Sequence, residues 1–254
     1  MTKDQLYTLR WAANKIVSTS TEKAIQELAK NMVVEITKAL GEQVAAEPIK
    51  KPTVPAVKAG KGPLAGDHIA IIVGHTKKAQ GAYSKHMKQS EYVYNSDLAL
   101  KQKAAVESYG GSCSIHFRDV LGVKGAYKEA IALKPLAIIE DHFNAANGKA
   151  SGAEVLFADH FDKAGLKELE LAQIMSAGMA NALGTPNRGA KRLAKGQAER
   201  GLQNVSQSTN IPCVLIESGF GDNASVDAPA MLKHKTALAV STITSIMKWK
   251  GLQA

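Results

Sequence analysis

From Leu64 onward, short apolar runs alternate with longer segments of helical character. The apolar runs are rich in β-branched residues, as is typical of strands buried on both faces. We expect strands at 68–75, 112–117, 136–140, 153–158 and 212–217, and helices at 90–109, 125–133, 163–183 and 227–249. Strands that alternate with helices predict an α/β domain over residues 64–254. It would have a mostly parallel sheet with helices on both faces.

The chain before Leu64 has a different pattern. Residues 1–48 carry apolar side chains at helical spacing, with Thr19 and Glu22 spaced as in a capping box and Gly41 placed as a C-terminal cap. We expect a small N-terminal helical region there. Its apolar stripe needs a partner, which is the main domain, a second copy of the chain through self-association, or a foreign surface. Residues 49–63 contain proline and lysine without periodicity and predict an extended linker.

The charge of the chain favours an anionic partner. Lysine and arginine number 32 against 23 aspartate and glutamate residues, which gives a formal net charge of +9. Aromatic residues make up only 5%, and no nucleic-acid motif is present, so we expect no nucleic-acid partner. No apolar run reaches the roughly 18 residues that span a bilayer, so we expect no stable membrane insertion. The first residues lack the pattern of a secretory signal, which predicts synthesis in the cytoplasm.

Two cysteines, Cys113 and Cys213, lie in apolar stretches of the sequence. Two residues are too few for a disulfide framework or a cysteine-based zinc site. We expect both to be buried free thiols, because free cysteine behaves as a small hydrophobic residue. The cysteines therefore give no functional assignment.

Polar residues follow several of the predicted strands. His75 ends the first strand, His142 follows the third, Glu217 ends the last, and Glu91 opens the first helix of the domain. In open α/β sheets, ligands bind beyond the carboxyl ends of the strands, so these side chains are expected at one edge. Two imidazoles and one carboxylate form a three-ligand zinc site, and a further carboxylate can transfer a proton during amide hydrolysis. The sequence therefore predicts a dispersed metal site assembled by the fold.

Six short segments occur in a fixed order along the chain: VGHT (73–76), SEYVYNSDLA (90–99), EDHFNAA (140–146), SGAEV (151–155), PNRGAK (186–191) and LIESGFGDN (215–223). In this order they resemble the zinc-dependent N-acetylmuramoyl-L-alanine amidases of the type 3 amidase family, which occur in bacterial cell-wall hydrolases and phage endolysins. The resemblance covers about residues 64 to 250 and leaves residues 1–63 without a role.

The resemblance assigns roles to the candidate residues. It implies one Zn²⁺ on His75, Glu91 and His142, with Glu217 as the catalytic carboxylate. It also implies a position near the substrate for three more residues: Asn144, Glu154 and Arg188. The family more often has Ser-Ile-His-Ala-Asn where this chain has Glu-Asp-His-Phe-Asn. Asp141, beside a predicted ligand, is a candidate hydrogen-bond partner of the metal site or a cap of its strand.

The function implied by the resemblance is hydrolysis of peptidoglycan at the amide between N-acetylmuramic acid and L-alanine. Two alternatives stay open: a zinc peptidase that acts on the stem peptide, and a non-catalytic cell-wall-binding or virion structural protein with a degenerate amidase fold. The anionic partner would then be the cell wall. The enzyme would reach it after holin-dependent or lysis-dependent release, or as a virion-associated lysin.

Overall fold

The computed structural model describes residues 61–158, 163–194 and 201–251, together with Asn31. The predicted helical region at 1–48 and almost all of the predicted linker at 49–63 lie outside the described residues, as does any self-association through that region. The strands are β1 (His68–Val73), β2 (Tyr83–Ser84), β3 (Gln89–Ser90), β4 (Ser112–Phe117), β5 (Ala137–Asn144), β6 (Ala153–Ala158), β7 (Asn187–Leu193) and β8 (Cys213–Phe220). The helices are α1 (Glu91–Ser108), α2 (Gly122–Ala132), α3 (Lys163–Leu183), α4 (Leu202–Val205), α5 (Asp227–Lys233) and α6 (Lys235–Trp249).

Six strands form the central sheet, in the order β4-β1-β5-β8-β6-β7. The first four are parallel to one another, whereas β6 is antiparallel to β8 and parallel to β7. The predicted mostly parallel sheet is confirmed. Strand β7 was not predicted, because it is a largely exposed edge strand with the polar sequence NRGAKRL and has no apolar run.

The apolar side chains of the sheet divide between two cores. In β1, Ile69, Ile71 and Val73 belong to a core that also contains side chains of α1, α3 and α6. The alternate residues Ala70 and Ile72 belong to a second core with α2 and α4. Helices therefore cover both faces, as predicted, since alternate residues of a strand point to opposite faces.

Two predicted strand ends were placed too early. Strand β5 runs to Asn144, so His142 lies inside its strand and not after it. Strand β8 runs to Phe220, so Glu217 lies inside its strand and not at its last position. The apolar run alone sets the predicted end, but hydrogen bonding between β5 and β8 continues through polar residues and a register shift after His142. Both side chains still lie near the carboxyl edge of the parallel strands.

The predicted single helix at 227–249 is wrong in one respect, because the chain breaks at His234 and forms α5 and α6. Met231, before the break, is fully buried in the core. Lys235, after it, contacts the Asp97 carboxylate at 2.8 Å and lies over the Tyr94 ring. Different anchors on the two sides of His234 favour a change of direction that helical periodicity does not reveal.

The structure also bears on the predictions for the two cysteines and for membrane insertion. Cys213 is buried and Cys113 is partly buried, and both are free thiols. Within the described ranges, the model contains no helix that combines the length and the apolar character needed to cross a membrane.

Candidate metal centre and active site

Three segments bring the predicted metal ligands together at the carboxyl edge of β1 and β5. His75 lies two residues after β1 and has a left-handed backbone with φ of +64°. His142 lies near the end of β5. Glu91 is the first residue of α1, where the Ser90 hydroxyl caps the helix by accepting a hydrogen bond from the Val93 amide. This cap begins the helix at Glu91 and places its carboxylate at the helix N-terminus, where negative charge is favourable.

The Glu91 carboxylate contacts both histidines. Its Oε1 lies 2.7 Å from Nδ1 of His142 and accepts a hydrogen bond from the Phe143 amide at 3.1 Å. Its Oε2 lies 3.1 Å from Nε2 of His75 and accepts from the Ala82 amide at 3.2 Å. One carboxylate therefore links the loop after β1, the start of α1 and the end of β5.

The three side chains form a cluster that could hold a metal ion. Each offers one ligand atom, and these atoms lie within 4.8 Å of one another. Glu91 and His142 are almost fully buried, whereas the His75 side chain is 30% exposed. The site therefore opens towards solvent on the His75 side. Two imidazole nitrogens and one carboxylate oxygen are a donor set suited to a divalent transition metal.

The cluster perturbs the acid–base properties of its members. Burial alone would raise the pKa of Glu91, but hydrogen bonds and charge from His142 and His75 outweigh it and lower the pKa to about 2. Burial alone would lower the pKa of His142, but the carboxylates of Glu140 and Glu91 outweigh it and raise the pKa to about 10. Glu91 is therefore in its anionic form, as a metal ligand must be.

Two glycines make room for the side chains of the predicted metal ligands, because neither glycine has a Cβ atom. A Cβ atom at Gly74 would lie 2.5 Å from the His142 ring. A Cβ atom at Gly81, whose φ is +73°, would lie 2.5 Å from Oε2 of Glu91 and 2.7 Å from Nε2 of His75. Separations this short are not compatible with an unchanged site. Gly81 was not recognised from the sequence, because its role depends on a loop that folds back onto the ligands.

Glu217 lies beside this cluster in the sheet. It is the register partner of His142 on β5 and of Glu154 on β6. Every other residue of β8 is buried, and Glu217 alone is partly exposed. The strand therefore places a partly exposed glutamate next to the buried His142.

The three residues implied near the substrate also come together. The nearly buried Glu154 accepts a hydrogen bond from Nδ2 of Asn144 at 3.0 Å and one from Nε of Arg188 at 3.0 Å. The Arg188 side chain is 38% exposed, and its guanidinium lies 5.1 Å from the centre of the Phe220 ring. Glu154 therefore joins a strand-end amide to a partly exposed cation.

The residue that contacts the predicted ligand His142 from within its own strand is Glu140 and not Asp141. Oε1 of Glu140 lies 3.2 Å from Nε2 of His142. Asp141 instead accepts a hydrogen bond from the buried Gln102 at 3.1 Å. In a strand, residues two apart lie on the same face and adjacent residues lie on opposite faces. The sequence spacing therefore predicts that Glu140, and not Asp141, lies beside His142.

Comparison with known proteins assigns the domain. A family model described as N-acetylmuramoyl-L-alanine amidase (Amidase_3) matches residues 69–247. The chain belongs to this amidase family. It is therefore a peptidoglycan hydrolase, as the sequence segments predicted.

Solved structures of amidases share the fold of this family member. The catalytic domain of CwlV, an N-acetylmuramoyl-L-alanine amidase from Bacillus (Paenibacillus) polymyxa var. colistinus, aligns with a TM-score of 0.61 and 23% identity over 74% of this chain and 99% of that chain. The N-acetylmuramoyl-L-alanine amidase from Clostridium difficile 630 aligns with a TM-score of 0.62 and 19% identity over 74% and 98%. The catalytic domain of the CD27L endolysin, which targets Clostridia difficile, aligns with a TM-score of 0.55 and 23% identity over 72% and 97%. No curated protein matched the chain.

Proposed function

We propose that this amidase is zinc-dependent and cleaves the bond between the lactyl group of N-acetylmuramic acid and the L-alanine of the stem peptide. The observation that carries the proposal is the cluster of His75, Glu91 and His142, with Glu217 in register beside it. The membership in the amidase family supports the reaction, and the donor set supports the metal.

His75, Glu91 and His142 would hold the zinc ion. Two histidines and one glutamate are a typical ligand set of catalytic zinc, which keeps one position open for water or substrate. The space left by Gly74 and Gly81 supports this assignment, because a side chain at either position would press on the ligands. When bound, zinc lowers the pKa of a water molecule and polarises a carbonyl oxygen.

Glu217 would carry the proton transfers. Its carboxylate accepts a proton from the attacking water, and the carboxyl group then donates that proton to the amide nitrogen. The nitrogen needs this proton because an unprotonated amine is a poor leaving group. The C–N bond breaks, the lactyl carbon keeps the new oxygen, and L-alanine leaves as a free amine. The position of Glu217, partly exposed and in register with His142, supports this role.

Asn144, Glu154 and Arg188 would form the adjoining substrate contact. Both oxygens of Glu154 accept hydrogen bonds from protein groups, so Glu154 would orient its two neighbours. The partly exposed guanidinium of Arg188 would then meet a carbonyl or carboxylate of the stem peptide, because arginine suits planar oxygen acceptors.

The test is a digest of purified peptidoglycan with the full chain, analysed by mass spectrometry. The proposal expects peptides with a free L-alanine amine and glycan strands without internal cuts. Glu217→Gln, a near-isosteric control, should bind zinc as the parent does but release no peptide. Cleavage within the stem peptide would identify a peptidase instead. A parent protein that binds no zinc and digests nothing would favour the wall-binding or virion structural alternative.

The route to the cell wall stays a prediction. Release through a holin, release on lysis and carriage in a virion are all compatible with an amidase of this kind. The CD27L endolysin domain and the bacterial amidases share this fold, so the fold is compatible with each of these routes.

A further inference from the structure

Glu140 is a buried carboxylate with an unusual number of donors. It is fully buried within β5. Its Oε1 accepts from Nη1 of Arg118 at 2.6 Å and from Nδ2 of Asn204 at 2.9 Å, and its Oε2 accepts from the Tyr127 hydroxyl at 2.7 Å. The same Oε1 lies 3.2 Å from Nε2 of His142. The amidase reaction described above does not use this group.

The donors reach Glu140 from separate parts of the fold. Arg118 directly follows β4, Tyr127 lies on α2 and Asn204 lies on α4. Burying a carboxylate is costly unless its charge is paired and its oxygens accept hydrogen bonds, and these contacts meet both conditions. Three groups other than His142 therefore hold the Glu140 carboxylate in position.

The two ring nitrogens of His142 face different partners. Nδ1 lies 2.7 Å from Oε1 of Glu91, on the side of the candidate metal ligands, and Nε2 lies 3.2 Å from Oε1 of Glu140. A neutral imidazole binds a metal through one nitrogen and carries its proton on the other. A fixed carboxylate at Nε2 selects the form in which Nε2 carries the proton and Nδ1 presents its lone pair.

We propose that Glu140 is the positioning residue of the metal centre, which orients His142 and fixes its tautomer so that Nδ1 serves as the ligand. The proposal rests on the proposed zinc site. Arg118, Tyr127 and Asn204 hold Glu140 in place, so three residues outside the cluster determine how well His142 is oriented for the metal. A purely structural ion pair between Arg118 and Glu140 would give no reason for Oε1 to face Nε2.

The experiment measures zinc affinity of the purified full chain by competition with a chromophoric zinc chelator. We expect Glu140→Gln to bind zinc about 10- to 100-fold more weakly than the parent, the range typical of lost partners of metal-bound histidine. The matched control is Glu168→Gln. Glu168 is also fully buried, lies on α3 and accepts from the Cys213 amide at 3.0 Å. Its variant should bind zinc within about twofold of the parent, because Glu168 contacts no proposed ligand.

A milder variant keeps the test decisive if Glu140→Gln does not fold. Tyr127→Phe removes one hydrogen bond to Glu140 without changing any charge. It should weaken zinc binding in the same direction by a smaller factor. Unchanged zinc affinity in both variants, together with a lower Tm, would overturn the positioning role and leave a structural one. A parent that binds no zinc would overturn the proposed metal site as well, so the two failures are distinguishable.

Discussion

Glu154 and Glu217 lie opposite each other on the antiparallel strands β6 and β8. Their environments differ although they share one edge of the sheet. Glu154 is nearly buried and accepts hydrogen bonds from Asn144 and Arg188. Glu217 is partly exposed. Protein donors hold the first carboxylate, whereas the second belongs to the partly exposed residue for which we propose proton transfer.

The contact between Arg188 and Glu154 is expected to matter for activity. Arg188→Met removes a charged donor to Glu154 and, with it, the proposed contact of the guanidinium with the substrate. A hydrogen bond to a charged group contributes about 1.5–3 kcal/mol. We expect a roughly 10- to 100-fold loss of kcat/KM with zinc content unchanged, since tenfold corresponds to about 1.4 kcal/mol. The measurement is release of soluble fragments from labelled peptidoglycan, with zinc determined by metal analysis.

Arg192→Met is the matched control for that variant. Arg192 lies on the same strand β7, and its guanidinium stacks 6.0 Å from the centre of the Phe157 ring. The two variants lose the same charge from the chain. Equal losses of activity would show that overall charge, and not the Arg188–Glu154 contact, is responsible.

The glycine at position 81 is expected to be required for metal binding. In Gly81→Ala the new Cβ would press on Glu91 and His75, so zinc should bind at least about tenfold more weakly. Gly66→Ala is the control, because Gly66 also has a positive φ, of +86°, but its added Cβ would meet no atom within 4 Å. Alanine in a left-handed backbone costs roughly 1–2 kcal/mol, so both variants carry a strain of this order. Zinc titration should distinguish the two variants. Identical zinc affinities would contradict the assignment of Gly81 to the space beside Glu91 and His75.

His68 is expected to reduce stability at acid pH. Burial, with a smaller contribution from the charge of Lys103, lowers the pKa of His68 below its usual 6.5. The His68 imidazole therefore takes up a proton at a higher pH in the unfolded chain than in the folded protein. The stability that the neutral imidazole contributes is fully present above about pH 6.5 and is lost as the pH falls below it. His68→Gln should narrow the difference in free energy of unfolding between about pH 7.5 and about pH 5.

Urea unfolding at the two pH values measures this effect. The ring nitrogens of His68 form hydrogen bonds with the hydroxyls of Ser112 and Ser114 at 2.8 and 2.9 Å. Glutamine was chosen because its amide keeps a donor and an acceptor for these hydroxyls. His86→Gln, at an exposed position, is the control. A pH dependence that His68→Gln leaves unchanged would assign the acid sensitivity to other groups.

Both cysteines are expected to be unreactive in the folded protein. Burial raises the pKa of Cys113 to about 12 and raises the pKa of Cys213 well above its usual value. Because the thiolate is the reactive form, and only about one Cys113 in ten thousand is a thiolate at pH 8, the reaction with alkylating reagents should be slow. Iodoacetamide should therefore label neither residue within minutes, and both should be labelled in urea. Mass spectrometry measures the labelling, and rapid modification of folded Cys113 would refute the prediction.

Much of the fold follows from local sequence patterns. The run HIAIIV predicts β1 because β-branched residues suit a strand buried on both faces. The direction of β6 does not follow, because an apolar run is the same read in either direction and its pairing depends on distant strands. The break at His234 likewise depends on tertiary contacts of Met231 and Lys235.

The candidate site was predictable where general rules for strand ends and helix starts place its residues. His75 and His142 reach one edge because parallel strands end there, and Glu91 joins them because a capped helix begins there. Glu140 could have been found from its two-residue spacing to His142, whereas its donors Tyr127 and Asn204 could not, because distant elements supply them.

The reversed direction of β6 has a consequence for protein engineering. On β1, β5 and β8 the last residues of each strand lie at the edge that carries the candidate site, whereas on β6 the first residues, beginning at Ala153 and Glu154, lie there. Libraries meant to alter substrate preference should vary the first positions of β6 and the last positions of β5 and β8. Ala158 lies at the opposite end of β6, in the buried core, so positions near it are less suitable.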